Sequence, residues 1–171
     1  MLHNKKVLIF AEQYYEDLEL WYPRIRLTEE GAKVVVAGTT EKTYKGKNGY
    51  PIEVDGLAKD YKAKDFDAVV VPGGWAPDRL RRYKEVLDFV KEMYNTGKVV
   101  AAICHGPWVL VSAGILKNKK ITCVSAIKDD VINAGAQYFD QEVMVDGNII
   151  TSRKPDDLPA FCREIIKALN R

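Results

Sequence analysis

The feature that most constrains this chain is a set of short, unbroken apolar runs, spaced so that helices fit between them. They are Lys6-Val7-Leu8-Ile9-Phe10-Ala11, Val34-Val35-Val36-Ala37, Phe66-Asp67-Ala68-Val69-Val70-Val71 and Lys98-Val99-Val100-Ala101-Ala102-Ile103. A strand with one face in water alternates apolar and polar residues. Runs without alternation belong to strands buried on both faces, as in a parallel sheet covered by helices on each side. Between the first two runs, Leu18, Leu20, Trp21, Arg24, Ile25 and Leu27 follow helical spacing, and Gly31 stands at the C-terminal cap. Pro23 removes a hydrogen bond from that helix and predicts a kink. A second helix carries Leu80, Val86, Leu87, Val90 and Met93 up to Gly97, a third runs from Trp108 to Ala113, and Pro155 to Leu169 forms an amphipathic closing helix. Strands alternating with helices over residues 1–171 predict a single domain, a doubly wound α/β sandwich with a mainly parallel sheet.

Three segments depart from this rhythm. Gly46, Gly49, Pro51 and Gly56 punctuate the stretch from Gly38 to Asp65 and predict a hairpin excursion around Tyr50-Pro51-Ile52-Glu53-Val54. Ile121-Thr122-Cys123-Val124 reads as another core strand. Glu142–Val145 and Asn148–Thr151 flank Asp146-Gly147 as a second hairpin.

The 26 basic and 24 acidic residues are scattered along the chain, leaving a net charge of +2 without a basic stripe, so no nucleic-acid partner is expected. No apolar run approaches the roughly 20 residues of a membrane span, and the N-terminus enters a strand directly, without a signal peptide. The three cysteines are odd in number and lack paired spacing. Free thiols in a reducing compartment, the cytoplasm, are expected. Two histidines and no CxxC or HExxH pattern leave no zinc constellation, so neither metal nor cofactor is expected.

In a doubly wound sheet, sites form at the carboxyl ends of strands. Three segments fall there: Glu16 after the first strand, Gly73-Gly74 after the Val69 strand, and Cys104 after the Val99 strand. Cys104-His105-Gly106-Pro107 stands where a strand must reverse sharply into a helix, the geometry of a nucleophile elbow. The unpaired N–H groups of a helix start favour a thiolate and can bring a cysteine pKa from about 8.5 into roughly the 3.5–7.5 range. The N–H of His105, with that of Gly73 or Gly74, would form an oxyanion hole. The His105 side chain follows the nucleophile directly and is expected to leave the turn in another direction. His3 is the only other histidine, so no downstream histidine completes a conventional triad. Glu16 has two readings: a carboxylate sharing a proton with Cys104, or an exposed first-turn glutamate favoured by the helix dipole. Cys123 and Cys162 read as buried structural thiols.

Ala102-Ile103-Cys104-His105-Gly106-Pro107, Val71-Pro72-Gly73-Gly74, Tyr15-Glu16-Asp17 with Glu19, and Ile127-Lys128-Asp129-Asp130 with Asn133-Ala134-Gly135 together resemble the PfpI family. The resemblance spans nearly the whole chain. It implies the flavodoxin-like sandwich of the class I glutamine amidotransferase-like superfamily, with Cys104 as nucleophile, His105 beside it and Glu16 as the glutamate after strand one. It implies one of three activities: cofactor-free conversion of methylglyoxal to lactate, repair of early glycation adducts, or intracellular peptidase activity. In the peptidase arrangement an acidic residue of a neighbouring subunit completes a Cys–His–acid triad, and here that position is Asp78, one methylene shorter than the usual Glu. Trp75 would wall the pocket or pack between subunits. Homodimers or hexamers are implied, as is action on a small carbonyl substrate or a peptide. A thiol-based redox sensor or stress chaperone is the non-enzymatic alternative.

Overall fold

A computed structural model describes residues 1–171. Seven strands form the central sheet: β1 (Lys6–Phe10), β2 (Lys33–Gly38), β5 (Gly56–Leu57), β6 (Ala68–Val71), β7 (Val99–Ile103), β10 (Val143–Asp146) and β11 (Ile149–Ser152). Their order is β10-β11-β7-β6-β1-β2-β5, parallel throughout except for β10 at one edge. The four apolar runs are thus β1, β2, β6 and β7, adjacent in the middle of the sheet. Leu8, Ile9, Phe10, Val69, Val70, Ala101 and Ala102 are wholly buried, as strands covered on both faces require.

Helices α1 (Asp17–Glu29) and α6 (Leu158–Leu169) pack together on one side, with α2 (Ala76–Leu80), α3 (Lys84–Asn95) and α4 (Pro107–Ala113) on the other. Phe89 of α3 meets Phe10 and Phe66 edge-on, each at a centroid distance of 5.6 Å, and so ties that helical layer to the sheet. The expected hairpin excursion forms as β3 (Thr43–Lys45) paired antiparallel with β4 (Pro51–Glu53), outside the main sheet. The chain moves from β1 to β2 on one side and returns to β6 on the other. The sheet therefore has a switch point between β1 and β6, where a crevice opens at the carboxyl ends.

α1 is a single helix through Pro23, with Leu20, Pro23 and Leu27 all buried along one face. Two local expectations are corrected. The helix expected to carry both Leu80 and Met93 is two helices, α2 and α3, separated by a turn in which Tyr83 is extended (φ −99°, ψ 117°). Ile121–Val124 is not a core strand. Only Lys120–Ile121 (β8) is extended, in a separate two-stranded ladder with β9 (Gln137–Tyr138) that also flanks α5 (Lys128–Asn133). Beyond it the backbone leaves the ladder: Thr122 N–H donates to Thr151 Oγ1 at 2.9 Å and Val124 N–H to the Cys104 carbonyl at 3.1 Å. No helix is long and apolar enough to cross a membrane.

Candidate active site

Cys104 has φ of +62°, a left-handed conformation that costs a non-glycine residue on the order of 1–3 kcal/mol and persists only where the surroundings enforce it. Three bonds enforce it here. Cys104 N–H donates to the Ser152 carbonyl at 3.0 Å, its carbonyl accepts Val124 N–H at 3.1 Å, and Gly106 N–H closes the turn onto the Ile103 carbonyl at 2.8 Å. Residue 106 has no room for a side chain, since a Cβ there would lie 2.5 Å from the Val71 carbonyl oxygen. Pro107 then opens α4 at a position where its missing N–H costs nothing.

The segment after β1 is laced to the segment after β6. Tyr15 and Gly74 form an isolated antiparallel bridge, Glu16 N–H donates to the Gly73 carbonyl at 3.1 Å, and Trp75 N–H to the Tyr14 carbonyl at 2.8 Å. Gly74 has φ of +73°, and a Cβ on it would meet Tyr14 O at 2.5 Å, so glycine is required on both counts.

The carboxylate that meets Cys104 is Glu19. It is wholly buried, and its Oε2 accepts Gly73 N–H at 2.7 Å. A Cβ built on Gly73 would lie 2.5 Å from Glu19 Oε2 and 2.7 Å from Cys104 Cβ, so one missing side chain lets these two residues meet. Glu19 Oε1 has no hydrogen-bond partner, leaving the carboxyl a place for a proton. Burial, reinforced by the nearby charge of Glu16, pushes Glu19 up from 4.5 to about 8 against the opposing pull of the Gly73 N–H. Burial and then the Glu19 charge push the Cys104 thiol up to about 12, partly offset by the N–H groups of Gly74 and His105 that face the sulfur. The N–H groups expected to favour a thiolate do lower the thiol's pKa, but burial and the Glu19 charge oppose them. The pair titrates together and holds at least one proton through the neutral range, and the sulfur is charged when that proton rests on Glu19.

The remaining expected residues fall as follows. Glu16 is neither an exposed first-turn glutamate nor the partner of the sulfur. It is 6% exposed, immediately before α1, and its Oε2 lies 2.6 Å from Lys47 Nζ. His105, expected to point away, places Nδ1 3.4 Å from Cys104 Sγ. Its imidazole is held below its usual pKa, by burial first and Lys47 second. Gly73 is not free to serve an oxyanion, since Glu19 takes its N–H; Gly74 and His105 supply the two donors at the sulfur. Trp75 is 58% exposed, with its ring 5.9 Å from that of His105, whose other neighbour is Trp108 at 5.1 Å. Asp78 lies in the first turn of α2, where Arg82 Nη2 pairs with its Oδ2 at 2.6 Å; within one chain no bond joins it to His105. Cys123 and Cys162 are buried, with thiols pushed up to about 12 by burial. No group of three or more His, Cys, Asp or Glu side chains is placed to hold a metal ion.

Sequence reasoning missed two groups. Glu19 carried a signal: it lies three residues after Glu16 and shares its face of α1 with Leu20, Pro23 and Leu27, so a carboxyl on the buried face was legible from helical spacing. Lys47, in the turn between β3 and β4, carried none.

A strained cysteine between a buried strand and a helix, with a buried carboxyl beside it and two backbone N–H groups aimed at the sulfur, defines an α/β protein with a cysteine nucleophile elbow. Residues 5–168 match the model of the DJ-1/PfpI family, and the chain belongs to that family. It is 45% identical over 164 residues to deglycase PfpI of Pyrococcus furiosus, covering 96% of this chain and 99% of that one. It is 44% identical over 168 residues to the putative cysteine protease YraA of Bacillus subtilis, covering 97% and 99%. Among solved structures, it superposes with a TM-score of 0.95 and 46% identity on a two-domain protein of Anabaena variabilis containing DJ-1/ThiJ/PfpI-like and ferritin-like domains. That match covers 98% of this chain and 48% of the other, so this chain spans about half of that protein.

Proposed function

We propose that this chain is a cysteine-dependent enzyme acting on reactive carbonyls, as a cofactor-free glyoxalase or a deglycase. The observation that carries this reading is the Cys104–Glu19 pair: a sulfur facing two N–H donors, beside a buried carboxyl whose proton affinity burial raises into the range where it can take up and return a proton. The reactive form of the pair is the one that holds a single proton: the thiol proton passes to the Glu19 carboxylate, and the sulfur adds to the aldehyde carbon of methylglyoxal. As the C–S bond forms, the carbonyl electron pair moves onto oxygen, where the Gly74 and His105 N–H groups hold the charge, at about 3–4 kcal/mol per donor. Glu19 returns its proton to that oxygen and, now a carboxylate, takes the proton on the former aldehyde carbon, giving an enediol. Reprotonation at the neighbouring carbon leaves a lactoyl thioester, and water cleaves the C–S bond to release lactate and the thiol. Methylglyoxal and water become lactate with no external oxidant. An aminocarbinol on a glycated amine reaches the same adduct when the sulfur displaces the amine, which leaves with the Glu19 proton.

The test compares the protein with its Cys104→Ala variant for lactate formation from methylglyoxal, without glutathione or added metal. Turnover lost in the variant supports carbonyl chemistry at Cys104; equal turnover in both would end it. Peptide hydrolysis is the second reading, favoured by His105 Nδ1 lying 3.4 Å from Cys104 Sγ. It requires Asp78 of a neighbouring copy to leave Arg82 and orient His105, so peptidase activity would track assembly and vanish in Asp78→Ala. We further propose that the chain works as a homodimer or hexamer in the cytoplasm under carbonyl stress. The exposed Leu18, Ile25 and Tyr50, which line an open groove of about 610 Å³ with Trp21, support self-association through α1. Sedimentation of Ile25→Lys tests that face, with dissociation as the expected result.

A further inference from the structure

Lys47 reaches Glu16, beside the nucleophile, from the β3–β4 hairpin, an element that supplies nothing else to the site. That hairpin lies outside the main sheet but is anchored at both ends by buried side chains. At one end the Tyr44 hydroxyl oxygen, almost wholly buried, accepts the N–H groups of Thr39, Thr40 and Glu41 at 2.8, 2.9 and 2.8 Å. At the other, the Asp17 carboxylate accepts Asn48 N–H at 2.9 Å, Asn48 Nδ2 at 3.1 Å and Tyr50 N–H at 3.0 Å. Lys47 N–H itself donates to the Tyr15 carbonyl at 2.8 Å. The backbone of Lys47 is thus fixed to Tyr15, and its ammonium to the next residue, Glu16, at 2.6 Å.

Glu16 has no other cation paired with it, and its side chain is only 8% exposed. A carboxylate taken out of water without a partner is strongly disfavoured. A second negative charge beside Glu19 would also oppose ionisation of the sulfur. The charged or titratable groups around the Cys104–Glu19 pair are Glu16 from the turn after β1, Lys47 from the hairpin and His105 from the elbow itself. Asp130 of α5 lies further off, bonded to Trp108 Nε1 at 3.1 Å.

We propose that Lys47 is a positioning residue for the nucleophile: by pairing with Glu16 it cancels the second carboxylate at the site, so that a charged sulfur meets less surrounding negative charge. Lys47 acts through Glu16 and Glu19 and makes no bond to substrate. Its own charge is secure, since the Glu16 carboxylate raises its pKa, and a charged Cys104 sulfur and the ammonium attract one another. The inference rests on Cys104 being the reactive thiol but not on any particular substrate.

The test is the rate of Cys104 alkylation by iodoacetamide as a function of pH, with the label located by mass spectrometry. Wild type is compared with Lys47→Met, Lys47→Arg, Glu16→Gln and the Lys47→Met/Glu16→Gln double variant. Lys47→Met should raise the midpoint by about one unit and slow alkylation roughly tenfold near pH 7. Glu16→Gln alone should speed it, Lys47→Arg should keep the wild-type profile, and the double variant should return to within about threefold of wild type, the coupling a cycle of interacting charges shows. A hairpin clasp without an electrostatic role would leave the midpoint unchanged in Lys47→Met and would give no recovery in the double variant; either result overturns the proposal. Should Lys47→Met not fold, Glu16→Gln decides, because no acceleration there is equally fatal. Absence of label on wild-type Cys104 at every pH would instead overturn the nucleophile reading beneath it.

Discussion

The backbone N–H of Gly73 donates to Oε2 of Glu19 across 2.7 Å, and this bond holds the buried carboxyl beside the nucleophile. Its other oxygen, Oε1, accepts no N–H or O–H. The bond favours the ionised form, yet burial outweighs it, which is why the carboxyl moves up rather than down.

A pH dependence of stability follows. Glu19 goes from 4.5 in an open chain to about 8 in the fold. The folded state therefore keeps a proton that the unfolded state releases. The stability this provides is fully present below the unfolded value and is lost as pH rises toward and through 8. With each unit worth about 1.4 kcal/mol, the loss amounts to a few kcal/mol. Thermal melts from acid to mildly alkaline pH should fall in wild type and fall less in Glu19→Gln; parallel curves would contradict the assignment.

The elbow itself should be strained. Glycine usually destabilises relative to alanine by roughly 0.5–1 kcal/mol, but it adopts positive φ freely. At φ +62° that order should reverse, with Cys104→Gly at least as stable as Cys104→Ala in urea titrations. A clear advantage for alanine would show that the turn relaxes once the sulfur is gone.

Gly106 is a steric requirement. Its Cβ would press on the Val71 carbonyl, which belongs to a wholly buried strand and cannot withdraw. Gly106→Ala should lose about 1–3 kcal/mol of stability, the usual cost of overpacking, and should slow Cys104 alkylation because the elbow shifts.

Asp17 should act on the site from a distance. Asp17→Ala removes three hydrogen bonds from the Asn48–Tyr50 turn, each worth about 1.5–3 kcal/mol for a charged acceptor. Amide exchange at residues 46–50 should quicken while that of β6 and β7 stays slow. Uniformly faster exchange would mean that Asp17 supports the whole fold instead.

Much of the architecture was legible because four unbroken apolar runs admit little besides a parallel sheet, and because Cys104-His105-Gly106-Pro107 places a reactive residue type at a forced reversal. The same logic failed at Ile121–Val124, where an apolar run is buried by packing under the elbow rather than by strand pairing. It failed at Leu80 and Met93, whose common helical spacing conceals the extended Tyr83 between them. In the site, two glutamates of one helical face were both available, and choosing Glu16 over Glu19 required knowing which way α1 is turned about its axis. That rotation is set by packing against α6 and β2. Lys47 was out of reach altogether, since only the folded hairpin brings it to Glu16.

The most direct test of the Cys104–Glu19 pair is the turnover number for methylglyoxal to lactate, measured side by side in wild type, Glu19→Gln and Glu16→Gln. Glu19→Gln should lose at least about a hundredfold, the scale of a lost general acid–base, while Glu16→Gln stays within about tenfold of wild type. Full activity in Glu19→Gln, with the large loss in Glu16→Gln, would contradict the assignment of the shared proton to Glu19.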